Sequence, residues 1–192
     1  MSVKVVCVGD GSTGKTSLLM SYVHNDFEFE YIPTCFDNTE INLHIDGSER
    51  GLTLWDTAGA ESYDRLRTLC YPDTHVFIIT FAFNYPDSFN NVREKWLPEI
   101  QHYCPRTPFF IVCTKVDARS DEVTLQKLRE SKKEPISSEQ GQALAKELGA
   151  RYFETSSKTG QGIRTLFETA VRIKELPVIP FPSGKSDKCS IC

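Results

Sequence analysis

A glycine-rich stretch near the start of the chain has the residue types and spacing that bind phosphate. Residues 9–16 read Gly-Asp-Gly-Ser-Thr-Gly-Lys-Thr, and they directly follow the apolar run 3–8. Gly9, Gly11 and Gly14 allow backbone conformations that a side chain would block, so successive N–H groups can turn inward at the N-terminus of a helix. This order of strand, loop and helix predicts a cradle for a polyphosphate.

Two side chains at the end of this stretch would complete the phosphate site. Lys15 would reach the outer phosphates, and Thr16 would bind a magnesium ion. A glycine-rich turn that binds no ligand is the alternative, which the agreement of strand, spacing and the Lys-Thr pair disfavours. The motif indicates a nucleoside triphosphate, but it specifies neither the base nor the reaction.

Length and composition fit one globular domain. The chain has 192 residues, of which 40% are hydrophobic and 11% aromatic, enough for a substantial core. Its net charge is −4 and it has no long run of lysine or arginine, which argues against nucleic acid as the main partner. No signal peptide or membrane-spanning helix is expected. Five of the seven cysteines, at positions 7, 35, 70, 104 and 113, are scattered and are interpreted as reduced cytosolic thiols, and the other two stand apart at the end of the sequence.

Strand-like and helix-like stretches alternate along the chain and predict an α/β fold. Strands are expected at 1–9, 76–81, 109–113 and 152–155, helices at 15–24, 87–100, 137–149 and 163–171, and a hairpin from strands 39–45 and 51–56 that turns at Asp46-Gly47. Right-handed crossovers would give a doubly wound, mostly parallel six-stranded sheet with one antiparallel edge strand, helices on both faces and the ligand beyond the carboxyl ends of the strands. With the phosphate loop at its first strand, this architecture resembles that of the phosphate-loop NTPases.

The remaining stretches lack the periodicity of core elements. The globular domain is expected to cover 1–176, with a charged insert at about 119–135 that carries a short surface helix, and 177–192 is expected to be a flexible tail. Residues 25–38 are interpreted as an exposed loop and 62–70 as a second candidate mobile segment.

Later motifs fall at strand ends in an order that resembles the small GTPases of the Ras superfamily. They are Thr34, Asp56-Thr57-Ala58-Gly59, Thr114-Lys115-Val116-Asp117 and Ser156-Ser157-Lys158. The resemblance covers nearly the whole chain and implies the small G-protein fold. Within that superfamily, segments 31–38 and 63–67, Thr114 in place of the commoner Asn, and the charged insert are similar to the Rho family.

The resemblance implies a site for GTP and GDP. The Asp117 carboxylate can accept hydrogen bonds from the N1–H and the exocyclic amine of guanine, whereas adenine offers neither donor at those positions. Lys115 would pack along the ring and the backbone N–H near Ser157 would donate to O6. The implied nucleotide ligands are Gly11, Ser12, Thr13, Gly14, Lys15, Thr16, Ser17, Phe27, Thr34, Asp56, Gly59, Thr114, Lys115, Asp117, Ser156, Ser157 and Lys158. For Phe27, an ordinary loop aromatic tucked into the core is the alternative.

A magnesium ion would connect the nucleotide to the switching loops. Thr16 and Thr34 are hard oxygen ligands, and Asp56 would hold one of the metal's waters. Because Thr34 can reach the metal only from a folded-down loop, a γ-phosphate would order residues 25–38 and its loss would release them. The Gly59 N–H would likewise couple the γ-phosphate to residues 62–70.

The implied catalytic positions are Lys15, Thr34, Gly59 and Ala60, and the last departs from the family pattern. Ala60 stands where the family usually has a Gln that orients the attacking water. Glu61 is a poor substitute, since a neighbouring side chain points elsewhere. We therefore expect a GTPase with low intrinsic and activator-stimulated activity. The alternatives are a non-hydrolysing protein held in the GTP state, and an ATPase or nucleoside kinase, which the motif at 114–117 disfavours.

The last four residues, Cys189-Ser190-Ile191-Cys192, fit the C-a-a-X pattern for an isoprenoid on Cys189, with an unmodified tail as the alternative. One lipid without a polybasic patch binds membranes reversibly, so we expect a cytoplasmic monomer that also visits the cytoplasmic face of membranes, chiefly the plasma membrane. By resemblance, its partners are exchange factors, GTPase-activating proteins, GDI-type chaperones and effectors of cytoskeleton-type signalling. They would contact residues 25–40 and 57–73.

Overall fold

The structure of the chain is a computed structural model, and it describes residues 2–25 and 36–175. Three side chains within that range, at positions 36, 37 and 174, are not described. The predictions for Phe27, Thr34 and Cys189 therefore lie outside the described residues.

Six strands and a set of helices alternate along the described chain. The strands are β1 (Ser2–Gly9), β2 (Phe36–Ile45), β3 (Ser48–Thr57), β4 (Val76–Ala82), β5 (Phe109–Thr114) and β6 (Arg151–Glu154). The α-helices are α1 (Lys15–His24), α2 (Asp64–Thr68), α3 (Pro86–Asn91), α4 (Leu97–Tyr103), α5 (Glu122–Glu130), α6 (Ser138–Leu148) and α7 (Ile163–Val171). Short 3-10 helices lie at Glu61–Tyr63, Val116–Ser120 and Ile173–Glu175, and a π-helical segment at Val92–Trp96 joins α3 to α4.

The strands form one sheet in the order β2-β3-β1-β4-β5-β6. Only the β2–β3 pair is antiparallel, and the other four pairings are parallel. This order confirms the predicted fold class, a mostly parallel sheet with one antiparallel edge strand. The apolar sequences of β1 and β4 fit their central places, because a parallel strand is covered by helices on both faces.

The hairpin is longer than the sequence pattern predicts. Strand β2 begins at Phe36 and β3 at Ser48, so Ile45 pairs directly with Ser48 around the two-residue turn. Asp46 and Gly47 have φ values of 52° and 73°. Both turn residues therefore adopt the left-handed conformation that a tight two-residue hairpin requires.

Two helical stretches also differ from the prediction. The helix expected at 87–100 extends over 86–103 and contains the π-helical segment, and we call this stretch helix 86–103. Residues 61–68, which overlap the candidate mobile segment predicted at 62–70, form a 3-10 turn followed by α2. The polar composition of α2 predicts an exposed segment, but the Arg67 side chain is buried and packs the helix against the domain.

The hydrophobic core lies on both faces of the sheet. On one face, helix 86–103 and α6 pack through side chains such as Trp96, Ile100 and Leu144. On the other face, α1 and α7 pack through Leu18 and Phe167. Within the described ranges, no helix is both long and apolar enough to cross a bilayer. The two layers hold the carboxyl ends of the parallel strands at one edge, where the predicted motifs lie.

Candidate functional site

The loop between β1 and α1, which we call the phosphate loop, has a backbone conformation that could surround a phosphate. Gly9 and Gly14 have φ values of 144° and 88°, where a side chain would be strained. Gly11 does not fit the expectation, because its backbone has no positive φ and a Cβ there would meet nothing within 4 Å. Ser12 takes the left-handed conformation instead, with φ of 63°. The turn of the loop is therefore made by Gly9, Ser12 and Gly14.

A cavity of about 300 Å³ opens over this loop. It is lined by Gly11, Ser12, Gly14, Lys15, Thr16, Ser17, Thr57, Ala58, Gly59 and Lys115. Residues from the phosphate loop, from the end of β3 and from the end of β5 thus surround one space. The cavity lies beyond the carboxyl ends of the strands, as the topology of the sheet predicts.

Lys15 is held against the loop that it follows. Its Nζ donates to the carbonyl of Gly9 at 2.8 Å and to that of Asp10 at 2.7 Å. Burial lowers the pKa of the Lys15 ammonium, and the nearby carboxylates of Asp56 and Asp10 oppose that shift. An ammonium that lines the cavity from a poorly hydrated position can attract phosphate strongly, because little water competes for it.

Buried threonine hydroxyls bind the backbone of the phosphate loop and of the strand before it. The sequence did not predict this role. The hydroxyl of Thr13 lies 2.9 Å from the Asp10 carbonyl and 2.8 Å from the Thr80 hydroxyl. Thr57 donates to the Cys7 carbonyl at 2.6 Å. These hydroxyls bind backbone carbonyls in the last part of β1 and in the loop that follows it.

The described part of the chain contains two of the three expected magnesium ligands, although Asp56 is not among the residues that line the cavity. Thr16 lines the cavity, and Asp56 at the end of β3 is buried with 6% of its surface exposed. A hydroxyl and a carboxylate are the hard oxygen donors that Mg²⁺ prefers. A bound ion would neutralise phosphate charge there. The third expected ligand, Thr34, lies outside the described residues.

The segment after β3 touches the phosphate loop directly. A Cβ built on Gly59 would lie 2.5 Å from the carbonyl oxygen of Gly9 and from the backbone nitrogen of Gly11. Only glycine allows this approach. Ala60 follows in an extended conformation and is exposed, so its methyl group offers no polar atom to the cavity. The neighbouring Glu61 carboxylate lies 3.7 Å from Lys95 Nζ.

The motif at residues 114–117, which we call the base motif, begins at the end of β5 and contacts the phosphate loop. Lys115 has a left-handed backbone with φ of 62°, and its Nζ donates to the Ser12 carbonyl at 2.7 Å. The Thr114 hydroxyl contacts the carbonyl of Thr13. Burial lowers the pKa of Lys115, and the charge of Asp117 opposes that shift. Lys115 therefore spans the distance from base motif to phosphate loop, so its stem can cover a flat ring.

Asp117 and the loop after β6 form the other end of the site. Asp117 is half-buried in the 3-10 helix Val116–Ser120. Ser156 is fully buried and its hydroxyl accepts the Thr159 N–H at 3.1 Å, which shapes the loop. The Ser157 carbonyl accepts from Ser21 of α1 at 3.1 Å, and Lys158 is exposed. The Val116 N–H donates to the Thr155 carbonyl at 3.3 Å, which joins the two segments.

An arginine that the sequence reasoning did not consider fastens the base motif. Arg119 donates to both carboxylate oxygens of Glu154, at 2.9 and 2.8 Å, and to the hydroxyl of Ser138 at 2.7 Å. It thereby connects the 3-10 helix of Asp117 to β6 and to the start of α6. The position of Arg119, two residues after Asp117, was a signal in the sequence that it supports this motif. Its acidic partner Glu154, however, is 35 positions away.

Eight of the seventeen predicted nucleotide ligands line one cavity, whereas Thr13, Asp56, Thr114, Asp117, Ser156, Ser157 and Lys158 do not line it. The cavity is formed by phosphate-loop residues, the segment 57–59 and Lys115, and a backbone hydrogen bond from Val116 to Thr155 joins the base motif to the loop after β6. The predicted ligands Phe27 and Thr34 lie outside the described residues. A sequence model of the Ras family matches residues 4–175 of the chain.

Proposed function

Because the chain belongs to the Ras family, whose members are GTP-binding switches, we propose that it is a Rho-type switch that hydrolyses GTP slowly. The observation that carries the guanine-nucleotide assignment is the connection between Lys115 and Ser12. Through it, a base motif ending in Asp117 and a phosphate loop form one continuous surface.

The helix that precedes α6 supports the Rho-type assignment. Helix α5 (Glu122–Glu130) lies between the base motif and α6, within the charged insert at about 119–135 that resembles the Rho family. It is mostly exposed and packs chiefly through Leu128, so it adds surface to the domain. The short sequences at 31–38 and 63–67 and Thr114 support the same subfamily.

The exposed methyl group of Ala60 supports slow hydrolysis. Phosphoryl transfer in this class needs a group that orients the attacking water, and Ala60 has none. Lys15 and the backbone donors can still neutralise charge, but the nucleophile is not aligned. Glu61 lies beside Lys95, away from that role.

Two measurements test this proposal. Nucleotide extracted from the purified protein is expected to be GDP or GTP, and adenine nucleotide would contradict the base assignment.

Single-turnover GTP hydrolysis is then compared for the wild type, Ala60→Gln and Glu61→Gln, each with and without a Rho-family activating protein. Ala60→Gln should hydrolyse faster, and only it should respond to the activator's arginine, worth about 10³ to 10⁵ in rate.

Glu61→Gln is the matched control, because it places the same amide one residue further along. Acceleration by Glu61→Gln, or ordinary family rates in the wild type, would show that Ala60 does not limit hydrolysis. A wild type with no measurable hydrolysis would favour the second candidate function. In that function the chain is a constitutively GTP-bound binding protein regulated by its abundance and location, and the absence of a water-orienting side chain at Ala60 favours it.

Regulators, effectors and membrane attachment complete the proposal. Exchange factors, activating proteins, GDI-type chaperones and effectors would contact residues 25–40 and 57–73, and the exposed Leu66 and Leu69 support a docking role for the latter segment. An isoprenoid on Cys189 would place the protein reversibly on the cytoplasmic face of membranes. Mass spectrometry of protein from eukaryotic cells tests this, and a full-length unmodified C-terminus would contradict it.

A further inference from the structure

Helix α2 buries one arginine and exposes its leucine. Arg67 is 1% exposed, whereas Leu66 is 54% exposed and Leu69, just after the helix, is 73% exposed. Removing a guanidinium from water is costly, and buried ion pairs are often no more stabilising than apolar packing. The burial of Arg67 therefore calls for an explanation other than stability.

The Arg67 guanidinium uses its donors on three different groups. Nε and Nη2 donate to the two carboxylate oxygens of Glu99, at 3.0 and 2.6 Å, and Nη2 also donates to Asp64 at 2.7 Å. Nη1 donates to the backbone carbonyl of Ala58 at 3.0 Å. The guanidinium carbon lies 4.7 Å from the centre of the Trp96 ring. These contacts fix the guanidinium in one orientation, as expected for a planar fork of donors.

The carbonyl that Arg67 holds belongs to the peptide unit that ends in the Gly59 N–H. No cis peptide bond occurs in the described residues, so the C=O of Ala58 and the N–H of Gly59 point in opposite directions. Arg67 binds the oxygen on one side. Ala58 and Gly59 both line the cavity over the phosphate loop, and the Gly59 Cα lies so close to this loop that a Cβ there would be 2.5 Å from the nitrogen of Gly11.

The helix that carries Glu99, the acidic partner of Arg67, also binds the phosphate loop. Glu99 lies on α4, and the preceding Trp96 and Asn91 donate to the two carboxylate oxygens of Asp10, at 2.7 and 2.6 Å. Helix 86–103 therefore binds the phosphate loop through one set of contacts and Arg67 through another. The Ala58 carbonyl and the phosphate loop are therefore both connected to helix 86–103, through Arg67 and Asp10, in addition to the pairing of β1 with β3.

We propose that Arg67 is a positioning residue that presets the Ala58–Gly59 peptide, so that the Gly59 N–H faces the γ-phosphate before GTP binds. A peptide rotated the other way would leave a buried guanidinium N–H without an acceptor, which is unfavourable. Arg67 thus favours the triphosphate over the diphosphate without touching either nucleotide. This inference rests on the proposed function, in which Gly59 contacts the γ-phosphate.

The experiment compares equilibrium binding of fluorescent GDP and of the fluorescent β,γ-imido analogue of GTP, both with Mg²⁺. Arg67→Met removes the guanidinium but keeps an apolar stem. We expect it to weaken binding of the imido analogue by about three- to tenfold, the size of one hydrogen bond, and to leave GDP binding unchanged. The matched control is Arg65→Met, the same substitution at an exposed position of α2, which should change neither affinity.

Two further variants keep the test decisive if Arg67→Met lowers the melting temperature too far. Arg67→Lys retains the charge but cannot hold Glu99 and Ala58 together, and Glu99→Gln removes the charge of the anchor. Both should shift the ratio of the two affinities in the same direction as Arg67→Met. An unchanged ratio in the folded variants, even with a lower melting temperature, would show a merely structural role and overturn the inference.

The failure of this inference is distinguishable from failure of the proposed function. A wild type that binds neither nucleotide would contradict the proposed function and the inference together. A wild type that binds both, with variants that lose GDP and imido-analogue affinity equally, would leave the proposed function intact and overturn the role of Arg67 alone.

Discussion

The Trp96 indole N–H donates to the Asp10 carboxylate at 2.7 Å, across 86 positions of sequence. Asn91 donates to the other oxygen at 2.6 Å, so both oxygens of Asp10 are bound to helix 86–103. A carboxylate in a phosphate loop would repel a polyphosphate if it faced the cavity. The two donors hold it on the opposite side, which makes an acidic residue compatible with this position.

Removal of the indole donor should loosen the phosphate loop. Trp96→Phe would leave the buried Asp10 with fewer partners, and we expect a loss of about 1–3 kcal/mol in the free energy of unfolding, together with faster nucleotide release. Urea unfolding and the dissociation rate of fluorescent GDP measure the two effects. Tyr103→Phe, at an exposed position near the end of the same helix, is the control and should change neither. Unaltered stability in Trp96→Phe would contradict the anchoring role of this hydrogen bond.

The parts of the fold that were predictable depend on neighbours in sequence. The apolar run of β1 and the Asp46-Gly47 turn carry their structural information locally, and the structure contains both the strand and the two-residue turn. The order of these elements, with right-handed crossovers, then determines the sheet.

The parts that were not predictable depend on distant partners. Arg67 is polar in a polar segment, and only Glu99, 32 positions later, makes its burial possible. The same holds for Asp10, whose role requires Trp96. In the loop, the sequence favoured glycine for every unusual backbone conformation, yet Ser12 adopts one and Gly11 does not. Serine can do so at a modest cost, which no spacing rule reveals.

The two glycines at positions 9 and 11 should respond differently to alanine. Gly9→Ala would combine a φ of 144° with a Cβ only 2.3 Å from the Thr80 hydroxyl oxygen, and we expect it to lower the free energy of unfolding by at least about 1–3 kcal/mol. Gly11→Ala meets no atom within 4 Å and should stay within about 0.5 kcal/mol of the wild type. Urea unfolding of nucleotide-free protein measures both. Equal losses would contradict this account of the loop.

The Arg119–Glu154 pair should make stability depend on pH in the acid range. Burial alone would raise the pKa of Glu154, but hydrogen bonds from Arg119, Ser138 and Tyr152 outweigh it, and the pKa lies below its ordinary value. Because the folded pKa is lower than the unfolded one, Glu154 stabilises the fold above about pH 4.3, and this contribution is lost as the pH falls through the folded pKa.

The measurement compares the free energy of unfolding of the wild type and Glu154→Gln from neutral pH downward. Their difference should be constant near neutrality and shrink in acid. Glu94→Gln, at an exposed carboxylate, should differ from the wild type by less than about 0.5 kcal/mol throughout. A difference that grows as the pH falls would have the wrong sign for a depressed pKa.

The base preference should depend on Asp117 alone among the acidic residues of its segment. Asp117→Asn replaces one acceptor with a donor, so the variant should lose affinity for GDP and gain affinity for xanthosine diphosphate, whose 2-oxo group accepts a hydrogen bond. A site built around such hydrogen bonds rejects the wrong partner by about 10⁴ to 10⁵, so a partial reversal is readily measured.

Competition between guanosine and xanthosine diphosphates for the fluorescent nucleotide measures this preference, and Asp121→Asn is the matched control. Asp121 lies four positions later and caps α5 by accepting the Thr124 N–H, a role that Asn also fills. Asp121→Asn should therefore leave the preference for guanine unchanged. A shift toward xanthine in both variants would indicate a general effect of lost negative charge, and no shift in Asp117→Asn would place Asp117 outside the base pocket.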